Sequence, residues 1–134
     1  MKMMQRFLVF LAIAPMTILV PSGCSKSSTD GAPDVKVELR MSPDPPTVGQ
    51  GTATVTLTDK DGGPLRGATL KLEGNMNHAG MKPVFADAKE LDPGKYEASV
   101  NLTMGGDWFF LIDAVLADGR RLKRKIDVPG VKSR

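Results

Sequence analysis

The chain has 134 residues, 41% hydrophobic and 25% charged, with five Phe, one Trp and one Tyr, which is material for one globular domain and one core. A single cysteine excludes a disulfide-stapled fold. The 18 Lys and Arg against 15 Asp and Glu give +3 and a pI near 9.1, but Lys2 and Arg6 lie at the extreme N-terminus. From Cys24 onward 16 cations face 15 anions, and a net charge of +1 offers no case for nucleic acid or another polyanion as partner.

Met1 to Arg6 is a positively charged leader, and Phe7 to Val20 (FLVFLAIAPMTILV) is a fourteen-residue run without a charge. A membrane span needs about 20 apolar residues, so this shorter, Pro15-interrupted run reads as the hydrophobic region of an export signal. Removal of the segment is favoured over its retention as a short anchor. Cys24 follows directly in Val20-Pro21-Ser22-Gly23-Cys24. Small residues running into a lone cysteine resemble the processing site of a bacterial lipoprotein, in which that cysteine is lipidated and becomes the first residue. Pro21 departs from the aliphatic residue usual three positions earlier. The alternative is a secreted protein with a stray thiol, a liability outside the cytosol. Two acyl chains on Cys24 suffice for stable membrane anchoring. Ser25 to Pro33 (SKSSTDGAP) then supplies a polar, flexible tether. Three segments are thus expected: a signal over 1–23, a tether over 24–33 and a folded domain over 34–130.

From Val35 the apolar residues recur at every second position, the period of a half-buried strand. Val35, Val37, Leu39 and Met41 form the first set, and Ala53, Val55 and Leu57, interleaved with four threonines, form the second. Pro43, Pro45 and Pro46 force an extended connection between them. Asp61-Gly62-Gly63-Pro64 turns the chain into Ala68, Leu70 and Leu72, and a looser strand covers Pro83 to Glu90. Leu91-Asp92-Pro93-Gly94 leads into Tyr96, Ala98, Val100, Leu102 and Met104 on one face. Strands over Trp108–Leu116 and Arg121–Val128 complete seven, with no amphipathic helix. Seven short antiparallel strands predict an all-β, immunoglobulin-like β-sandwich. A Tyr entering a strand just after Pro93-Gly94 resembles a tyrosine corner. Trp108, Phe110, Ile112, Tyr96, Val100 and Leu102 are the expected core, each contributing roughly 1.5–3 kcal/mol on burial.

No catalytic constellation is visible, so an enzyme is not expected. His78, the only histidine, has no nucleophile in a recognisable motif, and the glycines sit in hairpin turns rather than in a phosphate cradle. One cluster does stand out: Asn75-Met76-Asn77-His78-Ala79-Gly80-Met81 places His78 between two of the four methionines that follow Cys24. Thioether sulfur selects Cu(I) and imidazole binds copper in both oxidation states, so Met76, His78 and Met81 suit copper where thiolates would oxidise. Met76 and His78 share a side if the strand continues, Gly80 can fold Met81 back, and Met104, ending its strand inward, is a fourth candidate. The plainer reading has the methionines plugging one end of the sandwich.

Phe109, Leu111 and Val115 are apolar on the face opposite Trp108 and Phe110, either covered by neighbours or offered to a partner. Arg120, Arg121, Lys123, Arg124 and Lys125 crowd into six positions. Arg121, Lys123 and Lys125 share one face, which either protects an edge strand from aggregation or contacts anionic headgroups or an acidic partner. Arg124 falls on the apolar side, a misfit with no explanation in the sequence.

The Asp61–Gly67 turn, Met76-x-His78, Gly94-x-Tyr96 and Met104-x-Gly106-x-Trp108 together resemble the YtkA-like domain, akin to the FixH-like family of small bacterial envelope proteins. The resemblance spans roughly Val35 to Val128. It implies a β-sandwich, membrane-anchored or secreted, in a family associated with copper handling and with assembly of haem-copper oxidases. Met76, His78 and Met104 match positions that would be metal ligands if that association holds. Two functions are therefore expected to compete. The first is a non-catalytic envelope lipoprotein binding Cu(I). The second is a metal-free module that docks on a membrane-protein partner through Phe109, Leu111 and the basic strand.

Overall fold

The computed structural model describes residues 31–134, so the leader, Cys24 and most of the tether lie outside the described residues. Seven strands follow in order: β1 (Lys36–Ser42), β2 (Gly49–Thr58), β3 (Thr69–Met76), β4 (Val84–Asp92), β5 (Lys95–Leu102), β6 (Gly106–Val115) and β7 (Arg121–Val131). No helix occurs among the described residues. The period-2 pattern maps directly onto burial. Ala53, Val55 and Leu57 of β2, Tyr96, Ala98, Val100 and Leu102 of β5, and Trp108, Phe110, Ile112 and Ala114 of β6 are all buried, while their neighbours face out.

All pairings between strands are antiparallel, and the hydrogen-bonded order is β1-β2-β5-β4-β3-β6-β7. Strand β4 joins the two layers: Val84–Ala88 pair with β3, and after that Lys89, Glu90 and Asp92 pair with β5. One layer is thus β1-β2-β5-β4 and the other β3-β6-β7, the strand order of immunoglobulin constant-type domains. A parallel bridge between Thr47 and Lys132 touches the layers on the opposite side, so the sheet curls nearly into a barrel. Two details differ from the immunoglobulin pattern. The lone Trp sits on the sixth strand rather than the third, and the corner Tyr on the fifth rather than the sixth.

The register sorts every connection to one of two poles. The near pole gathers the start of β1, the β2–β3 connection, the β4–β5 hairpin and the β6–β7 hairpin. The far pole gathers the β1–β2, β3–β4 and β5–β6 connections and the end of β7. At the near pole Tyr96 is fully buried; its hydroxyl donates to Leu65 O at 2.8 Å and accepts the Ala68 N–H at 3.0 Å. The corner therefore ties β5 to the β2–β3 connection rather than to the loop just before it. Gly94 supplies the positive φ of 74° that the hairpin needs, and a Cβ there would lie 2.8 Å from Pro64 and 2.9 Å from Leu57 O.

Arg124 finds its explanation at this pole. Its guanidinium reaches across the opening between β7 and β1 and donates to Ala32 O at 2.8 Å, Gly31 O at 3.2 Å and Val35 O at 3.4 Å. Ala32 and Val35 are buried beneath it, and Gly31 presses so closely on the Arg121 carbonyl that no side chain would fit. Arg120 adds an ion pair with Asp34 at 3.0 Å and another with Asp118 at 2.7 Å. The residues leading into β1 are thus an arm strapped to β7.

The Arg120 hydrogen bond holds the Asp34 carboxyl below the usual range. Asp118 is lowered likewise, first by the Arg120 backbone N–H and then by its guanidinium. A lowered carboxylate supports the folded arm in full above its ordinary pKa, and that support disappears as pH falls through the lowered value. Acidification through the carboxylate range is therefore expected to lower the protection factor of the Val35 amide, taken against its intrinsic exchange rate, before those of the β5 and β6 amides fall; the Val35 N–H bonds Ala32 O at 3.1 Å. Simultaneous loss of protection in all three places would contradict a locally released arm.

Candidate functional site

Met76, His78, Met81 and Met104 all stand at the far pole, on the β3–β4 and β5–β6 connections or the strand end beside them. Met76 closes β3 on the inward row Leu70, Leu72, Gly74, opposite Trp108. Its methyl rests against Gly106, where a Cβ would lie 3.0 Å from Met76 Cε. The strand stops at Met76, so the continuation on which a shared side for Met76 and His78 depended does not occur. Instead His78 to Met81 form a turn, closed by the Met81 N–H on His78 O at 3.3 Å. Gly80 supplies the positive φ of 78° at its third position. Met76 and Met81 are each half-buried against the core.

The Met104 expectation is corrected similarly. Strand β5 ends at Leu102, and Met104 is 41% exposed on the connection rather than inward on a strand. What fixes its backbone is Trp108, whose buried indole Nε1–H donates to Met104 O at 2.9 Å. Trp108 is thus flanked by the Met76 strand end on one side and the Met104 connection on the other.

His78 is exposed, and its ring Nδ1 lies 3.1 Å from Ala79 O. A carbonyl can only accept, so Nδ1 is the donor in this contact and Nε2 is the ring nitrogen left over for a ligand. Among the described residues no three His, Cys, Asp or Glu side chains gather as ligands. The residues at this pole that the sequence singles out are three thioethers and one imidazole. The thioethers are soft and the imidazole is a borderline ligand, a combination whose chemistry suits Cu(I) better than hard divalent cations.

The second group of predicted residues lies on the outer face of β3-β6-β7. Phe109 and Leu111 are half-buried there, with Lys125 Nζ 4.5 Å from the Phe109 ring centre, a cation–π contact. Lys123 approaches Asp113 at 3.9 Å and Lys125 approaches Asp127 at 3.8 Å, while Arg121 is exposed near the arm. The register also brings in Phe85, which pairs with Glu73 next to Leu111 and is 73% exposed. Its looser strand gave no reason to single it out. A groove of about 570 Å³ lies elsewhere, against Leu39, Met41, Pro46 and Val128.

Fold and pole together define a small all-β domain of immunoglobulin strand order whose short loops present soft donors. A family described as YtkA-like matches residues 29–113, well over half of the 134, and the chain belongs to that family. The match runs from the arm through most of β6 and leaves β7 outside it. No curated protein and no solved structure matches the chain.

Proposed function

We propose that this protein is a non-catalytic envelope lipoprotein, exported, anchored through Cys24, and binding Cu(I) at the far pole for copper delivery or sequestration, including supply to a haem-copper oxidase under assembly. One observation carries the reading. Three methionines and the only histidine, spread over positions 76 to 104, lie at one pole of the fold. Met76 and Met81 are held by packing, Met104 by the Trp108 hydrogen bond, and His78 by its turn. Bound copper would add a soft cation that these side chains retain without a thiolate.

Anaerobic Cu(I) titration against a competing chelator is expected to show binding tighter than micromolar at one equivalent. His78→Ala and Met76→Ala should each weaken it at least about tenfold, or roughly 1.4 kcal/mol. Trp108, the only tryptophan, is expected to report the same event as a fluorescence change saturating at one equivalent. Equal, micromolar or weaker binding by all three proteins would refute the copper site.

A second reading is favoured by Phe85. With Leu111 and Phe109 it forms an apolar strip on the outer face, bordered by Lys123 and Lys125, that a membrane-protein partner could cover.

A further inference from the structure

The strapped arm fixes a distance. Cys24 and Gly31 are separated by seven residue steps, which span at most about 25 Å when fully extended. The fold is one strand long from pole to pole, and β2 with its ten residues measures about 33 Å. For the far pole to face the bilayer that holds Cys24, Gly31 would have to stand at least that strand length above the lipid surface. The tether is too short.

Without the strap the result reverses. An arm released back to Lys36 would give twelve steps, about 42 Å, which is enough to turn the domain over. The contacts that hold Gly31 to Val35 therefore decide which way the domain can stand. They are the three carbonyls bound by Arg124, the burial of Ala32 and Val35, and the Arg120–Asp34 pair. A cation at an inward position of β7 is otherwise costly, and here it is matched to carbonyls about 90 residues away in sequence.

We infer that the Arg124 strap is an orientation device. It keeps the Met76–His78–Met81–Met104 pole turned away from the lipid surface, so that the partner exchanging with this pole presents its own site in the aqueous phase and not at the level of the bilayer. The inference rests on the proposed anchor at Cys24.

The test uses the full lipidated chain in phosphatidylethanolamine–phosphatidylglycerol vesicles. Cys24 is blocked by its thioether, so one introduced cysteine is a unique label site. A fluorophore at Lys60→Cys, near pole, or Thr103→Cys, far pole, is read against lipids bearing a headgroup quencher. The near label is expected to be quenched several-fold more than the far one. Five Gly and Ser residues inserted after Ser28 should raise far-pole quenching several-fold without touching the fold, and Arg124→Ala should act in the same direction. Equal quenching at both labels in the parent chain, or no response to the longer tether, would overturn the orientation. Failure of the chain to float with the vesicles would instead overturn the anchor, and with it this inference, while leaving copper binding to its own titration.

Discussion

Tyr96→Phe is expected to lower the unfolding free energy by about 2 kcal/mol, a large loss for one oxygen atom. The ring stays, so packing is unchanged and the whole effect comes from the hydroxyl. That group both donates to Leu65 O and accepts from the Ala68 N–H, so its removal strands two partly buried backbone groups at once. Burial also pushes the phenol upward, which keeps the proton needed for the Leu65 bond in place throughout the neutral range. Urea unfolding should show a lower midpoint with an unchanged slope, and Tyr96→Ala, which also empties the core site, should lose about 4 kcal/mol. A Tyr96→Phe loss below about 0.5 kcal/mol would mean that the β2–β3 connection does not depend on the corner.

Trp108 holds the other end. Trp108→Ala should cost about 4 kcal/mol, since the indole is buried between the Met76 strand end and the β5–β6 connection. The informative variant is Trp108→Phe, which keeps an aromatic ring but removes the donor to Met104 O. It is expected to cost about 2 kcal/mol, to speed amide exchange at Thr103 to Gly105, and to weaken Cu(I) binding by several-fold because Met104 is no longer positioned. Slower copper capture without faster exchange would place the effect elsewhere. An unchanged affinity together with faster exchange would remove Met104 from the donor set.

The strands were legible because alternation is a local property. Tyr96 to Leu102 and Trp108 to Ala114 each bury every second residue as their pattern requires. Alternation says nothing about where an inward row stops, so a shared side for Met76 and His78 is conditional on the strand continuing, and the strand ends at Met76. Met104 was displaced for the same reason. Arg124 was illegible in principle, because its acceptors are backbone carbonyls of Gly31, Ala32 and Val35, which carry no side-chain signal. Phe85 sits on β4, where inward Ala86 and Ala88 are small and the contrast between faces is weak. That the Met–His cluster and Met104 share a pole was only conditional in the sequence, since it depends on β3 and β5 running in the same direction between the two poles.

The Thr47–Lys132 bridge joins residues 85 positions apart, and Val48 N–H and Lys132 N–H close it with bonds of 2.9 Å and 2.8 Å. A chain delivered from its N-terminus cannot make this contact until β7 has emerged. Until then β6 presents an unpaired border bearing Phe109 and Leu111, while β1 and β2 wait for β5, whose partner positions Gly49 and Leu102 are likewise far apart in sequence. Such long-range closures slow folding into the millisecond-to-second range. The nascent domain therefore keeps this apolar border uncovered until its last strand docks.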